Sequence, residues 1–387
     1  MSAPVARAAF FFGSGISRLS GAPFVDDITA SLLNTAWMPD TAERFYPRPA
    51  ADGTTSVGVA LRAQEFLRAV QRHIEPLVAA RENRAVHYED LYAVALQIFQ
   101  DETRESPNPL IAEGLAAIKQ ATAALHEGQD DHVAGNPFAS LADRAINLIQ
   151  WAVYYGLAAA KEPKGMEVIS DVARAVGNLD VFSLNHDRLI EAQLKAKGVE
   201  FADGFGEQRD GYRIFNSAWR RDALAVRLLK LHGSVNWYLC RFKEWDQFAA
   251  FDQDAWHCKD LDGRWVDPLD VKPMFLSGTT VKEQAYGVGL FGDIFTEFRD
   301  LLSRHRTLVC CGYGWGDKGI NIRLNQWLRN APENKIVILH HGPLEEITRR
   351  RFWGFRWADY VATGKVQVVP KWLSECRLVD VEPFFDR

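Results

Sequence analysis

Seven short apolar runs constrain this chain more than any other feature, because six of them break off into glycine-rich or polar turns. The runs are Ala8–Phe12, Asp180–Leu184, Val199–Ala202, Arg227–Leu231, Thr307–Cys311, Lys335–Leu339 and Val366–Val369. The first, AAFFF, is apolar on both faces, the pattern of a parallel strand covered on both sides. The turns that end the first six read GSGIS, NHD, DGFG, HGS, GYGWGD and HHGP, and helical spacing follows several of them. Strands that alternate with helices predict an α/β fold with a doubly wound parallel sheet. In such a sheet the C-terminal strand ends lie on one side, and ligands bind beyond them. The polar turns are therefore expected to converge on one crevice.

Between the first run and the second lies a different kind of sequence. Apolar residues recur at helical spacing over Ala60–Arg84, Tyr88–Phe99, Leu110–Leu125 and Leu141–Ala160. Pro39–Val57 and Glu127–Pro137 read as loops. Residues 25–165 are thus expected to form a mostly helical block without strands, inserted into a Rossmann-like domain made of residues 1–24 and 166–387. No repeat or tether of Gly, Ser or Pro separates independent domains.

Composition removes several classes of function. The 387 residues carry a formal net charge of −5, so there is no global electrostatic case for binding nucleic acid directly. The nearest basic runs, Arg220-Arg221 and Arg349-Arg350-Arg351, read as solvated helix faces. Five cysteines with no C-x-x-C do not make a disulfide framework. No stretch reads as a membrane span or a signal peptide. A cytoplasmic protein with reduced thiols is expected. Aromatic residues are dense near the C-terminus, at Phe352, Trp353, Phe355 and Trp357, and suit either core packing or a partner surface.

The turns carry the candidate functional residues. Gly13-Ser14-Gly15 permits close backbone approach to a phosphate, or serves as a tight turn. The third glycine of a G-x-G-x-x-G dinucleotide fingerprint is absent, because Arg18 stands in its place. Asn185 and Asp187 offer hydrogen bonds to a ribose, a water or an amide, and equally suit helix capping. His232 at a strand end is a natural general base near pH 7, or a structural histidine. Gly233 beside it points to a close approach. Gly312, Tyr313 and Gly314, with Trp315, Gly316 and Asp317, form a strand end with two aromatic faces suited to a ribose or an adenine; read plainly, the segment is a loop before a helix capped by Asp317.

Taken in order, GSGISRLSGAP, SLNHD and KLHGS resemble the motifs of the sirtuin (Sir2-like) family, which reads GAGIS-x-x-SGIP, TQNxD and HG. Gly13, Gly15, Ile16, Ser17, Ser20, Gly21 and Pro23 fall in place at the first, Asn185 and Asp187 at the second, His232 and Gly233 at the third. The resemblance covers residues 5–24 and 178–345 and leaves out the helical block. It implies NAD as the ligand. Gly13, Ser14, Gly15, Ile16 and Ser17 would lie near its phosphates and ribose, with Gly233, Gly312, Tyr313 and Gly314 also in the cofactor site. Asn185 and Asp187 would face the nicotinamide ribose, and His232 would be the catalytic base.

Two departures bear on the subfamily. The deacylases of the family hold a structural zinc with two C-x-x-C pairs, and this chain has none, so no zinc is expected; Cys240, His257 and Cys258 do not complete a four-ligand site. The segment after Pro23 reads Phe24-Val25-Asp26-Asp27 in place of the usual Asp-Phe-Arg. With the helical block, this pattern is similar to sirtuin-like effector domains of bacterial anti-phage defence, which hydrolyse NAD. That resemblance implies a gated NAD hydrolase working as a homo-oligomer or beside a sensor or ATPase partner. An NAD-dependent protein deacylase and a non-catalytic NAD-sensing module remain the alternatives. The neighbouring His186 is expected to point away from Asn185 and Asp187, as in a continuing strand, and to be structural.

Overall fold

The computed structural model describes residues 6–41, 44–49, 55–105, 109–125, 136–217, 219, 226–242, 245–252, 258–259, 263–270, 272–278, 282–347 and 356–386. Arg220, Arg221, His257, Arg349, Arg350, Arg351, Phe352, Trp353 and Phe355 lie outside these residues. The chain divides into two compact units, one of Met1–Ala22, Leu157–Leu276 and Lys282–Arg387, the other of Pro23–Gly156 and Ser277–Val281.

The strands, in chain order, are β1 (Arg7–Phe12), β2 (Trp37–Pro39), β3 (Phe45–Pro47), β4 (Asn178–Ser183), β5 (Phe201–Ala202), β6 (Tyr212–Ile214), β7 (Val226–Lys230), β8 (Trp237–Phe242), β9 (Trp245–Phe251), β10 (Asp267–Pro268), β11 (Thr307–Cys311), β12 (Lys335–Leu339) and β13 (Val366–Val369). The larger unit is built on a seven-stranded sheet of order β13-β12-β11-β1-β4-β7-β5, with every pair parallel. This is the expected Rossmann-like α/β sheet. All seven apolar runs contribute to it, although Val199–Ala202 shrinks to the two-residue edge strand β5. Phe10, Phe11 and Phe12 are fully buried at its centre. The helix Gly289–Ser303 packs on one face through Phe298, whose ring lies 4.8 Å from that of Phe182 and 6.3 Å from that of Phe11.

A second sheet of order β10-β8-β9-β6, entirely antiparallel, was not expected. Its strands enclose a small core of their own around Tyr212, Tyr238, Cys240, Phe242, Phe251, Cys258 and Val266. Cys240 and Cys258 are buried there as free thiols.

In the smaller unit the helices Val25–Asn34, Gly58–Glu82, Tyr88–Glu102 and Pro109–Thr122, with Pro137–Ala158 as far as Gly156, match the helical spacing of the sequence. Here the expectation of no strands is corrected, because β2 and β3 pair antiparallel, β2 ending at the first residue of the Pro39–Val57 stretch and β3 lying inside it. Each is three residues long, too short to show a period. Tertiary hydrogen bonds hold them: Trp37 donates from its backbone to Ser56 Oγ (2.8 Å) and from Nε1 to Leu32 O (3.2 Å). Among the described residues no helix is long and apolar enough to cross a membrane.

One charged network fastens the sheet from within. Asp180 on β4 is fully buried and accepts two hydrogen bonds from Arg227 on β7 (2.5 and 2.9 Å). It is also bonded to His305 Nε2 at 2.7 Å, while His305 Nδ1 lies 3.2 Å from Asp386. Burial alone would raise the Asp180 carboxyl, but the bonds from His305 and Arg227 hold it below the usual carboxylate range. Burial would likewise lower His305, and the two carboxylates raise it above its ordinary 6.5. A raised histidine stabilises fully below its unfolded value and loses that contribution as pH rises through the folded one. His305→Gln is therefore expected to destabilise by about 3–5 kcal/mol, the scale for breaking a buried ion pair. Urea unfolding checks it, with the gap from wild type widest between about pH 5 and 6.5 and closing at alkaline pH.

Candidate active site

The chain order of the sheet reverses at β1. From β1 the chain winds outward through β4 and β7 in one direction, then crosses back to β11, β12 and β13 on the other side. Such a switch point is where open α/β sheets bind ligands. The turns after β1, β4, β7 and β11 meet there.

Glycine makes the switch point passable. A Cβ on Gly13 would stand 2.5 Å from Gly312 O, and one on Gly15 would stand 2.7 Å from Gly312 Cα. Gly312 itself has φ +67°, and a Cβ there would meet Ile16 N at 2.6 Å. The two turns are thus packed backbone on backbone, with Gly15 N donating to Gly312 O (3.0 Å) and Gly13 N to Cys311 O (3.1 Å). Gly13 and Gly15 thus closely approach a neighbouring turn of the protein. The segment that follows, Ser14–Ser20, is a 3-10 helix; Ser14 and Gly15 are exposed, whereas Ile16 and Ser17 are buried.

Ser17 joins this turn to the one after β4. Its hydroxyl donates to Asp187 Oδ2 (2.7 Å) and accepts from Asn185 Nδ2 (3.0 Å). Asp187 Oδ1 accepts from Leu189 N (3.0 Å) at the start of helix Leu189–Ala196, so both carboxylate oxygens have protein donors. Burial raises the Asp187 carboxyl, against the pull of Lys230, Ser17 and the Leu189 amide. Asn185 is different. Its Oδ1 is buried and accepts no hydrogen bond among the described residues. A buried carbonyl left in that condition costs about 1–3 kcal/mol, so it calls for a donor from water or ligand.

Lys230 holds the turn from behind. Its Nζ is almost fully buried and donates to Asp187 O, to Glu191 Oε1 (2.8 Å) and to Ser234 Oγ (2.8 Å). Lys230 opens the KLHGS segment two positions before His232, but the family motif there matches only His232 and Gly233.

Asn185 and Asp187 both meet Ser17, whereas the ring of His186 packs elsewhere. β4 ends at Ser183, so the alternation of a strand does not extend to residues 185–187. The His186 carbonyl accepts from Val235 N (3.0 Å) and Ser234 Oγ (3.2 Å), which ties it to the turn after β7. Its ring lies 4.8 Å from that of Phe275 and 6.1 Å from that of His232. Burial, with His232, Lys282 and Lys230 nearby, pushes this imidazole well below its ordinary value. Its Nδ1 is buried, with no partner at hydrogen-bond geometry among the described residues.

His232 is buried at the end of β7. Its Nε2 lies 2.8 Å from Tyr286 Oη and 3.1 Å from Asp317 Oδ2, and Tyr286 Oη donates to the same Oδ2 at 2.5 Å. Asp317 Oδ1 meanwhile caps the helix Lys318–Asn330 by accepting from Ile320 N (2.9 Å). Burial would raise the Asp317 carboxyl, but His232 holds it far below the usual range. Gly233 has φ +80°, and its backbone lies against the 274–275 segment, where a Cβ would stand 2.3 Å from Met274 O.

The glycine segment after β11 turns its aromatic side chains inward. Trp315 is buried in the core with its ring 4.7 Å from that of Trp357, so it offers no face to a ligand. Tyr313 is half-buried, its ring 5.2 Å from that of Phe11 and its hydroxyl bonded to Asn321 Oδ1 (2.9 Å) and Asp317 O (3.2 Å). Gly314 is exposed, with open space where a Cβ would lie. Two residues of the site, Tyr286 and the carboxylate function of Asp317, were not found from the sequence. Tyr286 lies in no motif, and Asp317 was read as a cap alone. Among the described residues no group of three or more His, Cys, Asp or Glu could hold a metal ion.

The chain is similar in fold to solved structures of Sir2 proteins. One, on the mechanism and regulation of Sir2 enzymes, is 12% identical with a TM-score of 0.36, over 96% of this chain and 89% of that one. A Sir2 homologue in complex with NAD is 10% identical with a TM-score of 0.37, over 98% and 90%. A mutant Sir2 homologue in complex with ADP-ribose is 10% identical with a TM-score of 0.35, over 98% and 92%. No protein-family model and no curated protein matches the chain.

Lys230→Met removes the lysine donor to Glu191 Oε1 and is expected to lower stability by about 3–5 kcal/mol, the scale for stranding a buried charge. The double variant Lys230→Met/Glu191→Met should recover most of that loss in denaturant unfolding.

Proposed function

We propose that this chain hydrolyses NAD to nicotinamide and ADP-ribose. The observation that carries the proposal is the pairing, at the ends of β4 and β7, of a buried carbonyl with unmet hydrogen-bonding capacity, Asn185 Oδ1, and a buried histidine oriented by a carboxylate, His232. The order and strand context of GSGIS, NHD and HGS, which resemble the sirtuin motifs, support NAD as the substrate.

The chemistry asks little of an acid. The bond between ribose C1′ and the nicotinamide nitrogen breaks with its electron pair leaving on nicotinamide, which departs neutral. Positive charge develops on the ribose, as in glycoside hydrolysis. A water oxygen bonds to C1′, and its proton passes to His232 and then to solvent. Asn185 Oδ1 accepts from that water or from a ribose hydroxyl and so fixes its place. Asp187, with both oxygens taken, acts through Ser17 and Asn185 by holding them still. The resemblance to sirtuin-like effectors further supports a role in bacterial anti-phage defence, with basal turnover raised by a partner or by self-association.

Purified chain incubated with NAD alone is expected to release nicotinamide and ADP-ribose in equal amounts, followed by chromatography. His232→Ala and Asn185→Ala should bind NAD but turn over about 10²–10⁴ times more slowly, the range for a positioned base. Turnover that appears only with an acylated lysine peptide would instead identify a deacylase. Binding without turnover under any condition would identify a sensor. Calorimetry showing no binding at all would remove NAD as the ligand.

A further inference from the structure

We infer that Asp317 is a positioning residue for His232: its carboxylate fixes the imidazole in the tautomer that carries hydrogen on Nε2 and leaves the lone pair for proton transfer on Nδ1. This rests on His232 being the base of the proposed hydrolysis. The geometry is specific. The two oxygens of Asp317 have separate duties, with Oδ1 held by the Ile320 amide and Oδ2 facing His232 Nε2 and the Tyr286 hydroxyl. A carboxylate is an acceptor on both oxygens, so the group facing Oδ2 must donate. A neutral imidazole has one N–H and one lone pair; once Nε2–H is committed to Oδ2, Nδ1 becomes the acceptor. When His232 takes a proton at Nδ1, the imidazolium forms beside an anion that is already desolvated and anchored at a helix start.

Anchoring limits drift. Asp317 is fastened through the cap, and the Tyr286 ring is stacked on Phe295 with centroids 3.7 Å apart. Tyr286 Oη donates to Oδ2 as well, so the carboxylate is held from two directions. His186, Lys282 and Lys230 are the other titratable groups around this corner; the burial of His186 beside two lysines keeps it from competing for the proton.

Asp317→Asn tests the inference with little change in shape. The single remaining oxygen is needed by the Ile320 amide, which turns the NH₂ toward His232 and requires Nε2 to accept. The expected result is a tautomer reversal, read from ¹⁵N shifts of labelled histidine in mildly alkaline buffer, with the His232 resonance identified by its loss in His232→Gln. On NAD, kcat should fall by about 10³–10⁴-fold with KM changed little, as for a base held in the wrong tautomer. Tyr286→Phe leaves the carboxylate in place and should keep the Nε2–H tautomer. An Nδ1–H tautomer in the wild-type chain overturns the inference, as does an Asp317→Asn protein that keeps both the wild-type tautomer and the wild-type kcat. Reversal in Tyr286→Phe but not in Asp317→Asn overturns it too, assigning the role to the phenol. The spectra need no turnover, so failure of NAD hydrolysis and failure of this assignment are told apart: tautomer reversal in a chain that never cleaves NAD would leave the Asp317–His232 coupling intact and remove only the hydrolase.

Discussion

Everything at the candidate site depends on one backbone contact, the packing of the turn after β1 against the turn after β11. At a switch point two strand ends diverge toward opposite halves of the sheet, and the chain must close the gap with something thin. Gly13, Gly15 and Gly312 do this by touching directly, with a hydrogen bond from Gly15 N to Gly312 O. Any side chain at these positions would meet backbone, which cannot move aside as a flexible side chain can. The contact sets the height of the 3-10 segment that carries Ser17, and Ser17 in turn carries Asn185 and Asp187. It also sets where the β11 turn runs, and so where Asp317 arrives beside His232.

The parts legible in the sequence share a physical reason. Strands buried on both faces are predominantly apolar, so β1, β4, β7, β11 and β12 announce themselves without any period, even with paired charges such as Asp180 and Arg227 among them. The long helices Gly58–Glu82 and Tyr88–Glu102 repeat their apolar residues often enough to be read. The antiparallel sheet was missed because its strands β8 and β9 carry mixed faces, with Trp245 and Arg241 exposed among buried Tyr238, Cys240 and Ala250. The pair β2–β3 is held by hydrogen bonds that Trp37 donates to Ser56 Oγ, 19 residues away, and to Leu32 O, contacts that a pattern of apolar residues does not show. The site was legible only where it lies at strand ends. Asn185, Asp187 and His232 follow β4 and β7 directly, whereas Tyr286 reaches His232 from 54 residues away and belongs to no motif.

Two single residues show how context overrides a local pattern. Trp315, flanked by glycines, reads as a ligand-facing aromatic. The positive φ of Trp315 (55°) belongs to a turn that sends its ring into the core instead. Asp317 looked like a helix cap, and it is one. A carboxylate has two oxygens, however, and a cap uses only one of them. An N-cap aspartate at the mouth of a parallel sheet therefore has a second oxygen to place, and here it is placed on the histidine.

The electrostatics of the crevice follow a consistent rule. Lys230 is matched by Glu191, and Asp317 by His232 and Tyr286. The Asp187 carboxylate is screened by Ser17 and the Leu189 amide. Matching buried charges with partners avoids the desolvation cost of several kcal/mol that an unpaired ion would carry. What is left with unmet capacity is neutral: Asn185 Oδ1 and His186 Nδ1. A neutral acceptor can hold a water or a hydroxyl without forming a competing ion pair with the substrate, and its dipole still favours positive charge developing nearby. A site made to grip a stable anion would instead present unmatched cations, yet its most deeply buried lysine is already taken three times over. The arrangement is thus compatible with the proposed hydrolysis, in which charge appears briefly on a sugar carbon and is gone when water has added.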